Sequence, residues 1–461
     1  MPSRPISVRS PIDDREVGRI PRQRRSDVDA AYKRLATAQQ EWATAPFRER
    51  IRTVGLIAKV LRRHRRELAD LLIREIGKTP GEAEGEIVRT AELVEETVRE
   101  ARRLKPERIR AEDFPGFPRG RAQIVERTPL GVVLAIGPFN YPVNLSISKV
   151  APALALGNTV LWKPPTQGAV TCRRLLQLLY AEGFPRDLLR MVTGKSSEIG
   201  DYLVTHPRCA MVAMTGSTAV GQRIAARTGM IPLLLELGGN DPAVVLADAD
   251  LDLAAKHITG GAFKLAGQRC TAVKRVYVMD RVADRLVKKI ASQVEETFGT
   301  VGDPREHPVG PVISDNQAKY LRTLLADAKR RGVRVIRGGT VRGRHVEATV
   351  LDRVPHSARV VREEQFGPIL PVVRVRDAEQ AVRFANDSEY GLQASVFSRN
   401  EKRCREIGAR LGAGGVHLNG PDQRAPDNFM FTGHKASGIG AQGIRFALEA
   451  MSRPKGIVVN R

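Results

Sequence analysis

A thiol and a carboxylate near the middle of the chain have the residue types of a nucleophile and its general base. Glu236 ends the apolar run 232–235, which predicts a buried strand, and it leads into a turn at 237–240. Cys270 follows Arg269 at the end of a helical pattern, where a guanidinium can favour the reactive thiolate. One interpretation is covalent catalysis with water activated by the carboxylate. The other is an inert cysteine and a structural carboxylate bonded to the turn, and the spacing alone leaves both open.

A third polar residue, Asn140, follows the apolar run 131–136, which predicts another buried strand. Its side-chain amide is a suitable hydrogen-bond donor to an oxyanion. An asparagine at this place is also typical of a simple turn.

The elements that would position these residues alternate between strands and helices from 131 to 237. This order predicts a doubly wound α/β fold with a parallel sheet and right-handed crossovers. Ligands of such sheets bind beyond the carboxyl ends of the strands. The residues predicted at those ends are Asn140, Lys163, Thr215, Gly216, Ser217 and Glu236.

Gly216 and Ser217 open a helix directly after a strand, where free N–H groups and the helix dipole favour an anion. The alternatives are a plain helix cap here and a solvent-facing side chain for Lys163. The position within a βαβ series favours a dinucleotide. Segment 163–167 has no acid to bind an adenosine ribose 2′-hydroxyl, which leaves room for a 2′-phosphate. At this point the residues leave both NADP and NAD open as the cofactor.

The composition is that of a soluble globular protein, with 42% hydrophobic and 27% charged residues among 461. No run of about 18 apolar residues occurs and the start has no apolar signal region, so a cytoplasmic protein without membrane contact is expected. The net charge of +24 could indicate nucleic-acid binding, but only 5% of residues are aromatic and none interleaves with a basic stripe. Solvated, arginine-rich helix faces are the favoured interpretation. The four cysteines lack CxxC or Cys/His spacing, so neither disulfides nor a metal site is expected.

The chain is long enough for two or three lobes. Residues up to about 25 predict an extended arm, and the Pro/Gly-broken segment 106–129 predicts a projecting hairpin. The last strand, 455–459, is expected to pair with this hairpin or with another subunit. The predicted division has a dinucleotide-binding domain at 1–105 and 130–237, a catalytic domain at 238–434, and an oligomerisation arm and tail at 106–129 and 435–461.

Seven motifs occur in order along the chain: Gly137-Pro138-Phe139-Asn140-Tyr141-Pro142, Trp162-Lys163-Pro164, Thr215-Gly216-Ser217-Thr218, Leu235-Glu236-Leu237-Gly238-Gly239, Gly267-Gln268-Arg269-Cys270, Glu364-Gln365-Phe366-Gly367-Pro368 and Lys435-Ala436-Ser437-Gly438. On these motifs, the sequence from about residue 10 to residue 461 resembles the aldehyde dehydrogenase superfamily. The resemblance implies a doubly wound cofactor domain, an α/β catalytic domain and a small β oligomerisation arm. A short amino-terminal segment, expected to lack the family's opening strand, is the main departure.

Within this superfamily the chain is most similar to the non-phosphorylating, NADP-dependent glyceraldehyde-3-phosphate dehydrogenases. The segments that carry this similarity are 163–168, 267–275, 388–395 and 423–429. The similarity implies oxidation of glyceraldehyde 3-phosphate to 3-phosphoglycerate without inorganic phosphate. Cys270 would form a thiohemiacetal and then a thioester, Asn140 would hold the oxyanion, and Glu236 would activate water.

The same resemblance assigns residues to ligands. The implied cofactor contacts are Lys163 and Glu364 to the ribose groups, Phe366 to the nicotinamide, Gly216 and Ser217 to the pyrophosphate, and Thr166 to the 2′-phosphate. The implied contacts to the substrate phosphate are Arg103, Tyr141, Arg269 and Arg424. Because family members form dimers and tetramers, a homodimer or homotetramer joined through the hairpin and final strand is expected.

Other readings of the site stay open. The substrate could be another small aldehyde, such as lactaldehyde or a semialdehyde. Acyl transfer to CoA is disfavoured by the presence of Glu236, which would activate water instead. A structural or nucleic-acid-binding protein on an enzyme scaffold is disfavoured because Cys270, Glu236 and Asn140 are all intact.

Overall fold

The protein, seen in a computed structural model, is described over residues 4–117, 119–424 and 426–460. Its helices are α1 (Arg25–Thr44), α2 (Phe47–Arg63), α3 (Arg65–Ile76), α4 (Pro80–Ala101), α5 (Asn144–Ala155), α6 (Ala169–Ala181), α7 (Ser196–Val204), α8 (Thr218–Arg227), α9 (Leu251–Phe263), α10 (Asp280–Phe298), α11 (Asp315–Arg330), α12 (Arg359–Arg362), α13 (Ala378–Asn386), α14 (Glu401–Gly408) and α15 (Ile444–Ala450). Its strands are β1 (Ile6–Arg9), β2 (Glu16–Ile20), β3 (Glu107–Arg110), β4 (Arg121–Pro129), β5 (Val132–Ile136), β6 (Thr159–Lys163), β7 (Leu189–Met191), β8 (Cys209–Thr215), β9 (Leu233–Glu236), β10 (Asp241–Val245), β11 (Val273–Met279), β12 (Arg334–Arg337), β13 (Val341–Arg342), β14 (His345–Val346), β15 (Thr349–Asp352), β16 (Ile369–Val375), β17 (Tyr390–Gly391), β18 (Gln393–Phe397), β19 (Gly415–Leu418), β20 (Phe431–Thr432), β21 (His434–Lys435), β22 (Gly438–Ile439), β23 (Ala441–Gln442) and β24 (Ser452–Asn460).

The first sheet has the strand order β22-β9-β8-β5-β6-β7. Its strands run parallel except for β22, which is antiparallel to β9. Successive side chains of β5 point to opposite faces, and both faces are covered by helices. Val133 and Ala135 pack in the core formed with α2–α6, whereas Val132 and Leu134 pack in the core formed with α1, α7 and α8. The predicted doubly wound α/β fold is confirmed.

The second sheet has the order β12-β15-β16-β11-β10-β18-β19, and only β12 is antiparallel to its neighbour. Its core is one large cluster of buried aliphatic residues. The two sheets are joined through the short turn 237–240, because β9 ends at Glu236 and β10 begins at Asp241. A residue at the end of β9 therefore lies at the junction of both sheets.

The terminal strand β24 pairs with β4 along its whole length, from Ser452 opposite Pro129 to Asn460 opposite Arg121. The predicted pairing of the tail with the hairpin is confirmed, and β3 completes a three-stranded sheet. The preceding helix α15 contacts α4 and α5, and Leu448 is buried in the core of the first sheet. The tail predicted at 435–461 thus divides between the first-sheet core and the hairpin. Residues 118 and 461 of the predicted arm and tail lie outside the described ranges.

The amino-terminal segment is not the extended arm that its polar composition predicts. Strands β1 and β2 form an antiparallel hairpin, in which Ile6 lies opposite Ile20. Val8 and Ile20 are buried against Ala169 at the start of α6, and this small apolar contact fixes the hairpin on the first sheet. None of the helices in the described part of the chain combines the length and hydrophobicity needed to span a bilayer.

Candidate active site

The carboxyl ends of β5, β6, β8 and β9 surround a cavity of about 510 Å³. Both sheets contribute to its lining, because the segments that precede β11 and β16 face the ends of the first-sheet strands. The predicted site residues that line this cavity are Asn140, Lys163, Thr166, Gly216, Ser217, Cys270, Glu364 and Phe366. The fold therefore brings together residues from five separate motifs at the edge where ligands of parallel sheets bind.

Cys270 lies in a tight turn between α9 and β11. The backbone before it is strained, since Leu265 and Ala266 have φ angles of 53° and 50°, which residues with a side chain rarely adopt. A Cβ atom at Gly267 would lie 2.3 Å from the Gly367 carbonyl oxygen, so this position requires glycine. Cys270 is partly exposed, whereas the other three cysteines are buried. Backbone strain of this kind is common where a functional side chain is held in place.

The charges around the thiol act in opposite directions. Burial raises the pKa of the Cys270 thiol well above its ordinary value, and the Glu236 carboxylate raises it further. Among the nearby cations, Lys274 does most to lower this pKa. The Arg269 guanidinium, which was predicted to favour the thiolate, donates a hydrogen bond to the Gly261 carbonyl oxygen at 2.9 Å. The main favourable charge therefore comes from Lys274, which the sequence analysis did not single out.

Glu236 is a buried carboxylate to which no N–H or O–H group among the described residues donates a hydrogen bond. Only 2% of its surface is exposed, and among the described residues only the Cys270 thiol is close enough to interact with the carboxylate as a weak hydrogen-bond donor. Its backbone is fixed on both sides, by Thr215 of β8 and by Gly438 of β22. An unpaired buried carboxylate is costly, and a carboxylate at this strand end beside a thiol is suited to bind and activate water.

The side chain of Asn140 is held in one orientation by two hydrogen bonds. Its Nδ2 donates to the Gln268 carbonyl oxygen at 2.9 Å, and its Oδ1 accepts from the Tyr141 backbone N–H at 3.0 Å. Because an amide nitrogen carries two hydrogens, one N–H remains for a ligand in the cavity. The bond to Gln268 also attaches this amide to the turn that carries Cys270.

The segment that carries Asn140 is held by hydrogen bonds to a carboxylate on α4. The Glu86 carboxylate accepts hydrogen bonds from the backbone N–H groups of Val143 and Asn144 at 2.9 and 3.0 Å. Its second oxygen forms a fully buried ion pair with Lys78 at 2.5 Å. The Lys78 ammonium lies 3.8 Å from the centre of the Tyr141 ring, a cation–π contact. The buried ion pair therefore positions the loop from 140 to 144.

Lys163, the last residue of β6, is the cation predicted to bind the cofactor. Lys163 is 9% exposed, and its ammonium donates a hydrogen bond to the Pro164 carbonyl oxygen at 3.2 Å. Burial lowers the pKa of Lys163 to about 8. Ser217 precedes the first residue of α8 and makes no side-chain cap, so the N–H groups of that helix face the cavity beside Gly216.

The opposite wall of the cavity comes from the loop before β16. Glu364 accepts a hydrogen bond from the Gly239 N–H at 3.1 Å and lies 3.4 Å from the Lys274 ammonium. Burial raises the pKa of the Glu364 carboxyl group. Phe366 has a φ of 48°, and its ring contacts the Phe139 ring edge to face at 5.8 Å. Two aromatic rings thus flank the side of the cavity nearest Cys270.

The cations predicted to bind substrate phosphate differ in their surroundings. Arg424 has a buried Nη1 without a partner among the described residues, and its guanidinium lies 5.2 Å from the centre of the Phe431 ring. Its charge also lowers the pKa of Lys149. Arg269 has a buried Nε that likewise lacks a described partner. Both residues therefore retain a donor for an anion.

Arg103 does not reach this site. Its side chain is 70% exposed and pairs with Glu100 at 3.1 Å, beyond the carboxyl end of α4. Arg89, which lies within α4, instead forms two hydrogen bonds of 3.0 Å with the Asp427 carboxylate. Burial lowers the pKa of Arg89, but its hydrogen bonds and charge contact with Asp427 raise it overall. Arg89 therefore joins α4 to the segment 423–429 that resembles a substrate-binding motif, and the sequence analysis did not identify it.

A second residue that the sequence analysis missed is Lys149 of α5. All twelve residues of this helix are buried, so a lysine among them is a signal of function or of a specific partner. Its ammonium donates to the Thr215 hydroxyl at 2.6 Å and to the Leu145 carbonyl oxygen at 2.9 Å. Burial lowers the pKa of Lys149 to about 7, with the charges of Glu236 and Cys270 opposing that change. Lys149 therefore lies within the electrostatic field of the catalytic pair.

A model of the aldehyde dehydrogenase family matches residues 1–457. An NADP-dependent glyceraldehyde-3-phosphate dehydrogenase from Streptococcus equinus is 41% identical over 454 residues, which are 98% of this chain and 95% of that protein. The relative from Nicotiana plumbaginifolia with the same name is 41% identical over 437 residues, covering 94% and 88% of the two chains.

Solved structures agree with these relatives. The NADP-dependent glyceraldehyde-3-phosphate dehydrogenase from Bacillus halodurans C-125, complexed with NADP, has a TM-score of 0.97 and 43% identity over 99% of this chain and 96% of that one. A lactaldehyde dehydrogenase has a TM-score of 0.94 and 30% identity over 100% and 96% of the two chains. The resemblance drawn from the sequence motifs is confirmed, and the chain belongs to the aldehyde dehydrogenase family.

Proposed function

We propose that this protein oxidises glyceraldehyde 3-phosphate to 3-phosphoglycerate with NADP and water, without inorganic phosphate. One aldehyde, one water and one NADP⁺ give one carboxylate, one NADPH and two protons. The observation that carries the proposal is that the Cys270 thiol and the Asn140 amide line one cavity, with the buried Glu236 carboxylate close enough to that thiol to raise its pKa. The curated relatives named above support the choice of substrate and cofactor.

The first step is attack by the Cys270 sulfur on the aldehyde carbon. A carbon–sulfur bond forms, and the carbonyl π electrons move to the oxygen to give a thiohemiacetal alkoxide. The free N–H of the Asn140 amide and the Cys270 backbone N–H stabilise this oxyanion. The bond between Asn140 and the Gln268 carbonyl oxygen keeps that donor oriented before the substrate arrives.

The second half of the reaction releases the acid. When bound, NADP would accept the hydride that leaves the thiohemiacetal carbon, which becomes a thioester on Cys270. Glu236 then takes a proton from water, and the hydroxide oxygen attacks the thioester carbon. The carbon–sulfur bond breaks, 3-phosphoglycerate leaves, the Cys270 thiolate is released, and Glu236 gives its proton to the solvent. The two unpaired oxygens of Glu236 are suited to hold that water.

The residues around the cavity fit NADP. The cavity of about 510 Å³ is lined by Cys270, by Lys163 at the end of β6 and Thr166 after it, and by Ser217 before α8. Lys163 and Thr166 bind the 2′-phosphate, and no acidic residue lies between 163 and 167 to repel it. Ser217 and Gly216 at the start of α8 hold the pyrophosphate through backbone N–H groups. Glu364 binds the nicotinamide ribose and Phe366 packs beside the nicotinamide.

The substrate phosphate binds to the cations near Tyr141. Arg424 and Arg269 each keep a buried nitrogen without a described partner, and Arg89 pairs with Asp427, three residues after Arg424 in the sequence. Arginine is suited to this role because its planar guanidinium donates two parallel hydrogen bonds to phosphate oxygens. The Asp427 carboxylate, which pairs with Arg89, holds that guanidinium in place in the absence of substrate.

A second candidate is oxidation of another small aldehyde, such as lactaldehyde or a semialdehyde, by the same steps. The similarity to a lactaldehyde dehydrogenase along the whole chain supports it. The two proposals predict different effects of the substrate phosphate group on kcat/KM. Glyceraldehyde 3-phosphate, glyceraldehyde and lactaldehyde should be compared at equal enzyme concentration. A kcat/KM at least 100-fold higher for the phosphorylated aldehyde supports the first proposal, and equal values overturn it.

The enzyme acts in the cytoplasm as a homodimer or homotetramer. Large apolar side chains are exposed on the three-stranded sheet and its connecting loop: Ile109, Phe114, Phe117, Ile457 and Val458. A second copy of the chain would bury them. The molar mass measured by light scattering should exceed that of one chain, and replacing Ile457 by Lys should lower it. A monomer in both cases would overturn this assembly.

A further inference from the structure

The ammonium of Lys274 lies between the backbone of Cys270 and the carboxylate of Glu364, which lines the cavity. Lys274 is the second residue of β11 and is only 2% exposed. Its Nζ donates a hydrogen bond to the Cys270 carbonyl oxygen at 2.6 Å and lies 3.4 Å from Glu364 Oε1. Its own carbonyl oxygen accepts a hydrogen bond of 3.1 Å from the Gln365 side chain. Lys274 thus contacts both the turn of Cys270 and the loop that carries Glu364.

The surroundings of this ammonium are unusually acidic for a protein interior. Burial raises the pKa of Asp241 to about 7, and Lys274 is the group that most lowers it. Burial also raises the pKa of Asp422 and the Asp241 carboxylate raises it further, whereas the charge of Lys274 lowers it. Asp241 is fully buried at the start of β10, opposite Val273 of β11. A buried ammonium is tolerated only where such carboxylates surround it.

The turn at Gly239 shows how tightly this arrangement is packed. A Cβ atom there would lie 2.8 Å from Asp241 Oδ1 and 2.9 Å from the Cys270 carbonyl oxygen. The Gly239 N–H donates to Glu364 Oε1, the same oxygen that faces the Lys274 ammonium. A side chain at Gly239 would therefore separate the groups that Lys274 joins.

We propose that Lys274 is a positioning residue of this enzyme: it fixes the Cys270 carbonyl and the Glu364 carboxylate relative to each other, and its charge favours the thiolate. The inference rests on the proposed role of Cys270 as nucleophile and goes beyond it by coupling that nucleophile to the cofactor contact. One ammonium then orients the sulfur and the ribose-binding carboxylate together. Without it, Glu364 loses its buried cation and the turn of Cys270 loses a short hydrogen bond.

Several other charged groups act on the same thiol or on the carboxylates around it. From the elements packed around Lys274 and Cys270, these groups are Glu236, Glu364, Asp241, Asp422, Arg269, Arg275 and Lys149. A measured pH profile therefore reports the whole set, and the contribution of Lys274 must be obtained from a difference between matched variants.

The test compares Lys274→Met with the wild type and Asp241→Asn/Lys274→Met with Asp241→Asn. The double variant removes a cation together with one of its carboxylates, so it should fold even if the single variant leaves too much buried negative charge. Lys289→Met is the matched control, because Lys289 pairs with Asp252 on the surface. The readouts are the pH profile of Cys270 alkylation by iodoacetamide, followed by mass spectrometry, and the Kd for NADP.

Each Lys274→Met change should slow alkylation at pH 7 by about 10-fold, the effect of one pKa unit on the thiolate fraction. The NADP Kd should rise about 5-fold or more, a coupling of the ordinary size between linked sites, and Lys289→Met should change neither value. Alkylation rates and Kd values within 2-fold of the parent proteins would overturn the proposal. Because neither readout requires turnover, this result is distinct from a failure of the proposed reaction, which Cys270→Ala tests.

Discussion

The carboxylate of Glu236 lies close enough to the Cys270 thiol that, after burial, it is the main influence that raises the pKa of that thiol. This proximity has opposite effects on the two halves of the reaction. It opposes formation of the thiolate, but it also puts the general base within reach of the thioester carbon. The cations around the pair, above all Lys274, offset the first effect without removing the second.

Glu236→Gln separates these two effects. The neutral amide no longer opposes the thiolate, so alkylation of Cys270 near pH 7 should become faster than in the wild type. Hydrolysis should fail because an amide cannot take a proton from water, and steady turnover should fall by about 100-fold or more. Rapid mixing should show one NADPH per active site followed by a stall, with the acyl-enzyme mass retained. An unchanged steady-state rate would be inconsistent with the assigned base.

Cys270→Ala should abolish NADPH formation while leaving the NADP Kd within about 2-fold of the wild type, because the sulfur forms the covalent bond and does not hold the cofactor. Cys404→Ala is the control, since Cys404 is buried beside Ser398 in the second sheet. Steady-state rates and titration calorimetry measure the two effects. Residual turnover in Cys270→Ala above about 1% of the wild type would point to another nucleophile.

The sequence predicts which polar residues lie at one edge of the first sheet, because the carboxyl ends of parallel strands meet there. Lys163 and Glu236 follow apolar runs directly, whereas Asn140 and Ser217 lie within four residues of the end of one. Asn140, Lys163 and Ser217 line the cavity. The amino-terminal hairpin was missed because its two strands are short and polar, and only Val8 and Ile20 are buried.

The substrate arginine expected at Arg103 was assigned from the family resemblance and not from helical periodicity. The Arg103 side chain is exposed and paired with Glu100, whereas Arg89 is partly buried and paired with Asp427. No turn or motif near Arg103 fixes the register. Lys149 and Lys274 were missed because a lysine in an apolar segment is identified only when its buried partners are known.

Arg424→Ala should raise the KM for glyceraldehyde 3-phosphate and lower kcat/KM by about 10- to 100-fold, the effect of about 1.5–3 kcal/mol lost with a hydrogen bond to a charged group. Turnover of glyceraldehyde, which has no phosphate, should change by less than about 3-fold. Arg103→Ala is the matched control because its side chain is exposed and paired with Glu100. Equal losses on both aldehydes would mean that Arg424 serves the fold rather than the phosphate.

Lys149 makes the stability of the wild-type protein depend on pH, and a side chain that cannot be protonated would remove this contribution. In the folded protein the pKa of Lys149 is about 7 instead of its ordinary 10.5, so between these values the unfolded chain holds a proton that the folded chain lacks. The stability contributed by this group therefore increases as pH rises from 7 to 10.5 and is lost as pH falls through 7.

In Lys149→Met this dependence disappears. The melting temperature of the variant, relative to the wild type, should be highest at pH 7 and below and should decrease steadily towards pH 10.5. Scanning calorimetry in matched buffers measures the difference, with Lys289→Met as the surface control. A difference that stays constant from pH 6 to pH 10 would show that Lys149 is not buried in its neutral form.

The most direct test of the proposed reaction is NADPH formation from glyceraldehyde 3-phosphate in a buffer free of inorganic phosphate and CoA, with the acid product quantified. Because the acyl group on Cys270 is transferred to water activated by Glu236, the account predicts sustained turnover with one 3-phosphoglycerate per NADPH. Turnover that appears only when inorganic phosphate or CoA is added would contradict it, as would no turnover of this aldehyde at all.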